Sequence, residues 1–238
     1  MIPTDLKRPA LCNPFLENES SLQYKMKHLK QQCSIIGHMI DGKCLSEDVN
    51  YVEFGCGKAE LSNMVRQSVL LQRKNESSPK ETYPVQEYVL IDRSNQRRKC
   101  DNNMRYAIGY LSGETVNNDT DGRTDDKMKR NGPVDSSIHV TRILTDICHF
   151  HFGKMQLLDN QRACVCISKH LCGVATDLTL RCITQTNTPE ASHPIEGVFI
   201  ALCCHHKCSW KSYVSKYETL LSCLNTLFHV LTRNVLFL

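Results

Sequence analysis

The feature that most constrains this chain is a strand-to-helix junction built on two glycines. Tyr51-Val52-Glu53-Phe54 is a short β-prone run ending in Gly55-Cys56-Gly57, and residues 58–71 then carry Leu61, Met64 and Val65 at helical spacing. A glycine turn here lets backbone approach a ligand that a side chain would block, and the helix start offers N–H groups to a carboxylate or phosphate. A second run, Glu87-Tyr88-Val89-Leu90-Ile91, stops at Asp92, where an acid can hydrogen-bond both hydroxyls of a ribose. Ser94 stands where it can N-cap the helix that follows. A lone Gly-x-Gly is as compatible with a tight structural turn as with a ligand site. Glu53 before the glycines and Asp92 after the next strand favour an adenosyl cofactor. Ala59-Glu60-Leu61 supplies no third glycine, which argues against a nucleotide diphosphate. Asp92 lies farther from Gly57 than in a compact dinucleotide unit, and the polar stretch 72–84 accounts for the excess.

Short apolar runs at 138–147, 163–168 and 197–202 read as further strands, with a helical segment, 175–184, between the last two. Strand and helix in alternation predict an α/β fold, a parallel sheet with helices on both faces. Leu22, Met26, Leu29, Cys33, Ile36 and Ile40 alternate spacings of four and three and predict a helix. Its other face carries Lys25, Lys27, Lys30 and Gln31, read as solvated in preference to RNA-contacting. Residues 1–21, with Pro3, Pro9 and Pro14, read as an extended lead-in, and 109–137, rich in Gly, Asn, Asp, Ser and Lys, as a disordered insertion.

A net charge of +4 suits an RNA partner without requiring one. The 14 cysteines are scattered and the start has no apolar signal-peptide core, so reduced thiols and a cytoplasmic or nuclear location are expected. The sequons at Asn18 and Asn75 then count as chance matches, and no apolar run is long enough for a bilayer.

Two further segments follow the fourth and fifth strands: Lys169-His170-Leu171-Cys172-Gly173 with Thr176-Asp177-Leu178, and Cys203-Cys204-His205-His206-Lys207-Cys208. In a parallel sheet both emerge beside the glycine turn. Together with Leu90-Ile91-Asp92-Arg93-Ser94-Asn95-Gln96-Arg97-Arg98-Lys99-Cys100 and Lys27-His28-Leu29-Lys30-Gln31-Gln32, they resemble the eukaryotic methyltransferases that 2′-O-methylate nucleotide four of the tRNA acceptor stem.

The resemblance covers about residues 22–213, taken as the methyltransferase domain. It implies a Rossmann-like sheet, S-adenosyl-L-methionine (AdoMet) as cofactor, and tRNA as partner, with no membrane or DNA partner. Glu53, Gly55, Gly57 and Asp92 fall by resemblance to the cofactor. The family often has a small residue where Cys56 stands and a glycine where Ala59 stands. It also carries a cysteine/histidine zinc segment ahead of the domain, whereas Cys12 and His28 are all that precede Cys33 here. The leucine-rich stretch 214–238 is expected to be a divergent helical tail, covering a fifth strand left at the edge of a sheet incomplete in its C-terminal strands. The chain then reads as a truncated or divergent member. A methyltransferase of a non-RNA substrate and a non-catalytic RNA- or protein-binding remnant are the alternatives.

A ribose hydroxyl is a poor acid, so methyl transfer to it calls for a base or a desolvated cationic neighbour. Lys169 and His170 are the candidates, with substrate positioning or phosphate contact as the competing reading. Cys203, Cys204, His205, His206 and Cys208 are contiguous, whereas structural zinc sites combine separated pairs, so no metal is expected. Trp210 reads as a core anchor, with base stacking as the alternative.

Overall fold

The computed structural model describes residues 6–17, 23–75, 85–105, 135–152, 162–186, 193–202 and 235–237. The strands are β1 (Asn50–Phe54), β2 (Gln86–Asp92), β3 (Ile138–Leu144), β4 (Cys164–Lys169), β5 (Ile195–Ala201) and β6 (Val235–Phe237). They form one sheet in the order β3-β2-β1-β4-β5-β6, and every neighbouring pair is parallel. The order reverses direction between β1 and β4, which makes the carboxyl ends of these strands the switch point where open α/β sheets bind ligands. The α/β class and the parallel sheet are those read from the sequence.

Strand alternation assigns the core to two faces. Tyr51, Tyr88, Val165, Ile167 and Phe199 join the apolar residues of α2 (Gln23–Asp41) and α3 (Glu60–Lys74) in one buried cluster. Val52, Phe54, Val89, Ile91, Cys166, Val198 and Ile200 join Phe150, Phe152 and, from α5 (Val174–Thr186), Cys182 and Ile183 in the other. No described helix is long and apolar enough to cross a membrane.

Four expectations are corrected. The lead-in is not extended throughout: after Pro9, itself extended, a 3-10 turn (Ala10–Cys12) runs into α1 (Asn13–Leu16), burying Cys12 and Phe15 completely. The cause lies in α2, where neighbouring Ile35 and Ile36 are both fully buried, so the helix needs cover on a second side. Residues 7–9 supply part of it. Lys7 N–H donates to Ser34 Oγ, and a Cβ on Gly37 would stand 2.7 Å from Lys7 Cβ, so only glycine admits this approach.

The stretch read as a disordered insertion ends in an ordered turn. Fully buried Arg66 needs an acid, and Asp135 provides it through an ion pair, while Asp135 Oδ1 accepts from Ser137 N–H and Oγ–H. Asp135 N–H also donates to the carbonyl of Arg105, the last residue of α4 (Lys99–Arg105), at 2.8 Å. Residues 106–134 lie outside the described residues.

Ser94 caps no helix, because α4 starts only at Lys99. Its N–H and Oγ–H both turn back onto Asp92 Oδ1, at 2.8 and 2.7 Å. Finally, β5 is not an edge: Val198, Phe199 and Ile200 pair with Val235, Leu236 and Phe237. Those last three residues are therefore extended instead of helical, since a parallel strand satisfies the backbone groups a bare edge would expose. The rest of the expected tail helix, and Trp210, fall outside the described residues.

Candidate active site

Gly55 (φ +63°) and Gly57 (φ +49°) both take the left-handed conformation that lets β1 turn sharply into α3. Their surroundings differ. A Cβ on Gly55 would stand 3.3 Å from Leu171 Cδ1, in the loop after β4, whereas one on Gly57 would meet no described residue within 4 Å. The turn is thus tight on the β4 side and open above Gly57, room of the kind a cofactor needs. Ala59, standing where the family resemblance calls for glycine, keeps a left-handed backbone (φ +59°) although fully buried. That costs an alanine about 1 kcal/mol.

The residues around the turn are tied to one another. Glu53, 3% exposed, accepts through Oε2 from Ser62 N–H at 3.1 Å and Ser62 Oγ–H at 2.5 Å. Burial pushes its carboxyl up to about 7, against the pull of the Ser62 hydrogen bonds and of Lys169 and Arg142. Glu53 therefore fastens the end of β1 to the first turn of α3. Asp92 accepts from Gly57 N–H through Oδ2 at 2.8 Å, and Ser94 occupies Oδ1. Partial burial opposes the charge on Asp92, but these hydrogen bonds and nearby Arg142 outweigh it and hold the carboxyl below its ordinary value.

Arg142, on β3, was not foreseen. Its guanidinium meets Asp101 of α4 with two bonds of 2.7 Å, both side chains almost wholly buried. The remaining nitrogen, Nη1, donates to Gly57 carbonyl at 2.9 Å and lies 3.1 Å from Cys56 Sγ. Gly57 is thus clamped on both polar groups, its N–H by Asp92 and its carbonyl by Arg142. The fork-to-fork geometry with Asp101 is among the stronger hydrogen-bonded pairings proteins make. A lone arginine in a strand carries no sequence signal for this role.

The second half of the site is the end of β4. Ser168 Oγ–H donates to the buried Phe54 carbonyl at 2.7 Å, pinning β4 to β1 just before the glycine turn. Lys169 follows, its side chain 10% exposed, with Nζ 3.9 Å from Glu60 Oε2 at the start of α3. Burial lowers the lysine pKa, opposed by Glu60 and Glu53. His170 then takes a left-handed backbone (φ +64°), held by its N–H donating to Ala201 carbonyl at 2.9 Å. Its exposed ring lies edge-on to His28 of α2, with Nε2 and Nδ1 3.3 Å apart. Desolvation lowers the His170 pKa, helped by Lys169, His28 and Lys27.

The six residues singled out from the sequence, Glu53, Gly55, Gly57, Asp92, Lys169 and His170, all lie at the carboxyl ends of β1, β2 and β4. Sequence reasoning missed Glu60, Arg142, Asp101 and His28. Of these only His28 had a signal, within the motif Lys27–Gln32, to which no role had been attached. Among the described residues no three His, Cys, Asp or Glu side chains gather to hold a metal. Cys203, Cys204, His205, His206 and Cys208 lie outside them.

A family model, "Methyltransferase TRM13", matches residues 30–237, running past residue 213, where the sequence resemblance stopped. The tRNA:m(4)X modification enzyme TRM13 of Vanderwaltozyma polyspora is 36% identical over 203 residues, covering 83% of this chain and 40% of the relative. That of Saccharomyces cerevisiae is 32% identical, covering 84% and 41%, and the Homo sapiens homolog 30%, covering 80% and 39%. The chain thus spans about two fifths of the length of these curated relatives. No solved structure matches. With the match spanning the sheet from its first strand to its last, the chain belongs to the TRM13 methyltransferase family.

Proposed function

We propose that this chain transfers a methyl group from AdoMet to a ribose 2′-hydroxyl in the tRNA acceptor stem. One observation carries the reading: a largely buried lysine ends β4 and a strained histidine follows it, beside the open glycine turn that ends β1, where the sheet order reverses. The relatives, described as tRNA:m(4)X modification enzymes, support tRNA as substrate and hence a cytoplasmic or nuclear setting.

The open space over Gly57 and the charged Asp92 suit an adenosyl group, which when bound supplies an electrophilic methyl. A carboxylate has about four lone-pair positions. Gly57 N–H and the two Ser94 donors occupy three on Asp92, so among the described residues one remains, on Oδ2, for a single ribose hydroxyl rather than two. Gly55 and Gly57 shape the cradle. Glu53, bound to Ser62, holds that cradle in place without facing it.

On the β4 side Lys169 and His170 divide the work on the substrate hydroxyl. The ammonium of Lys169, held in partial burial between Glu60 and Glu53, stabilises negative charge developing on the oxygen. His170, pushed towards its neutral form by burial and surrounding cations, is the group able to take the proton. The test is to incubate the chain with AdoMet and unmodified tRNA, then map ribose methylation along the acceptor stem. Methylation at one acceptor-stem ribose is expected. Binding of AdoMet with methyl transfer only to non-RNA acceptors would overturn the reading.

A further inference from the structure

We infer that His28 is a positioning residue for His170, fixing its tautomer and carrying off the proton that His170 takes from the substrate. The inference rests on the proposed ribose methylation for its catalytic half and on the ring geometry for its tautomeric half.

The argument begins with a strained backbone. A left-handed φ at a residue other than glycine persists only where its surroundings enforce it, and such strain gathers at functional positions. At His170 the enforcing contacts are its own N–H on Ala201 carbonyl and the neighbouring Leu171, 4% exposed and facing Gly55 across the turn. The effect is to turn an imidazole towards α2, where His28 Nδ1 meets its Nε2 at 3.3 Å with the rings at 84°. His170 Nδ1 has no hydrogen-bond partner among the described residues.

Two neutral imidazoles share a hydrogen bond only when one nitrogen brings the proton and the other a lone pair. With the proton on His170 Nε2, His28 Nδ1 accepts, and His170 Nδ1 is left bare as a base. The step then balances. The substrate O–H bond breaks as His170 Nδ1–H forms, and His170 Nε2–H breaks as His28 Nδ1–H forms. His28 then gives up its Nε2 proton to the solution, while the oxygen's electron pair forms the new bond to the methyl carbon and the methyl's bond to the donor sulfur would break, its electron pair staying on that sulfur. One proton leaves for each methyl transferred.

The charged groups acting on His170 are Lys27 of α2, Lys169 of β4 and Glu60 of α3. Two cations against one carboxylate disfavour a lasting imidazolium, so a captured proton moves on. This assigns a function to the motif Lys27–Gln32, which the sequence singled out without a role.

The test uses the full chain with ¹⁵N-labelled histidine and long-range ¹H–¹⁵N NMR, alongside tRNA methylation kinetics. In the parent, His170 is expected in a single tautomer, protonated at Nε2. His28→Phe keeps a ring but removes the acceptor. It should give a mixture of tautomers and about tenfold lower kcat, with KM for tRNA and Kd for AdoMet unchanged. His28→Gln offers a carbonyl oxygen and should restore the tautomer while leaving kcat low, since an amide cannot pass the proton on. Mixed tautomers in the parent, or a His170 spectrum unaltered by both substitutions, overturns the inference. A parent with the single tautomer that methylates no tRNA refutes the ribose-methylation reading and the relay with it, while the tautomer assignment is upheld.

Discussion

The glycine turn and the Lys169-His170 corner lie on adjacent strands of one sheet, yet they are built in opposite ways. Around the turn the polar groups are matched at short range: Glu53 with Ser62, Asp92 with Gly57 and Ser94, Arg142 with Asp101 and Gly57. At the corner the contacts are long. Lys169 stands 3.9 Å from Glu60, and His170 3.3 Å from His28 with its ring in solvent. A closed network holds one shape, as suits a group bound the same way in each turnover. Loosely held titratable groups near neutrality suit proton transfer, which requires that the charge change. On the proposed function, the difference separates the holding of a cofactor from the work on a substrate.

The sharpest way to break that comparison is at Arg142. Arg142→Met leaves the Asp101 carboxylate buried and unpaired, and stability measured by urea unfolding should fall by about 3–5 kcal/mol. A loss under 1 kcal/mol would show that the turn is not closed by this pair. Next comes Lys169→Ala, where kcat should fall about a hundredfold with AdoMet affinity unchanged, the pattern of an interaction made in the transition state. A loss confined to tRNA affinity would make Lys169 a phosphate contact and erase the division of labour.

Asp92→Ala removes one charge-assisted acceptor from the cofactor side. Calorimetry should show AdoMet binding weakened by about 1.5–3 kcal/mol, and unchanged affinity would take Asp92 out of the pocket. The smallest effect concerns Glu53. Its carboxyl is raised from 4.5 to about 7 in the fold, so the folded state holds the proton over that interval and the unfolded state does not. Its stabilisation is full below about pH 4.5 and is lost as pH climbs through 7, with a slope on the order of 1 kcal/mol per pH unit. Glu53→Gln should flatten that part of the stability profile. An unchanged profile would mean that Glu53 is ionised throughout.

The strands and the switch point were legible because apolar runs and a glycine turn are local signals. Tyr51 to Gly57 announces both the strand and its end. What escaped reading depended on partners distant in sequence. Arg142 is one basic residue in a short strand until β3 is laid beside β2, and Asp101 one acid in a polar run until α4 packs over the turn. His28 sat in a recognised motif, but its meeting with His170 requires α2 to cross to the end of β4. Ser94 misled because the chemistry that caps a helix also closes a turn on Asp92, and a nearby carboxylate won. The buried Cys12 and Phe15 were hidden by the prolines around them, although adjacent Ile35 and Ile36 already implied a second covering layer.

The hydrogen bond from Asp135 N–H to Arg105 carbonyl has a consequence for how this family can diversify. It closes the entrance to residues 106–134, so the chain leaves and rejoins the fold at one point, at the rim where β3 starts and away from the strand ends that carry Asp92 and Lys169. Doubling the length of such a loop costs only about 0.6 kcal/mol in closure entropy. Both anchors, Arg105 and Asp135, lie outside that stretch, so a change in its length need not move them. The two anchors therefore mark a point at which the fold admits a change in chain length.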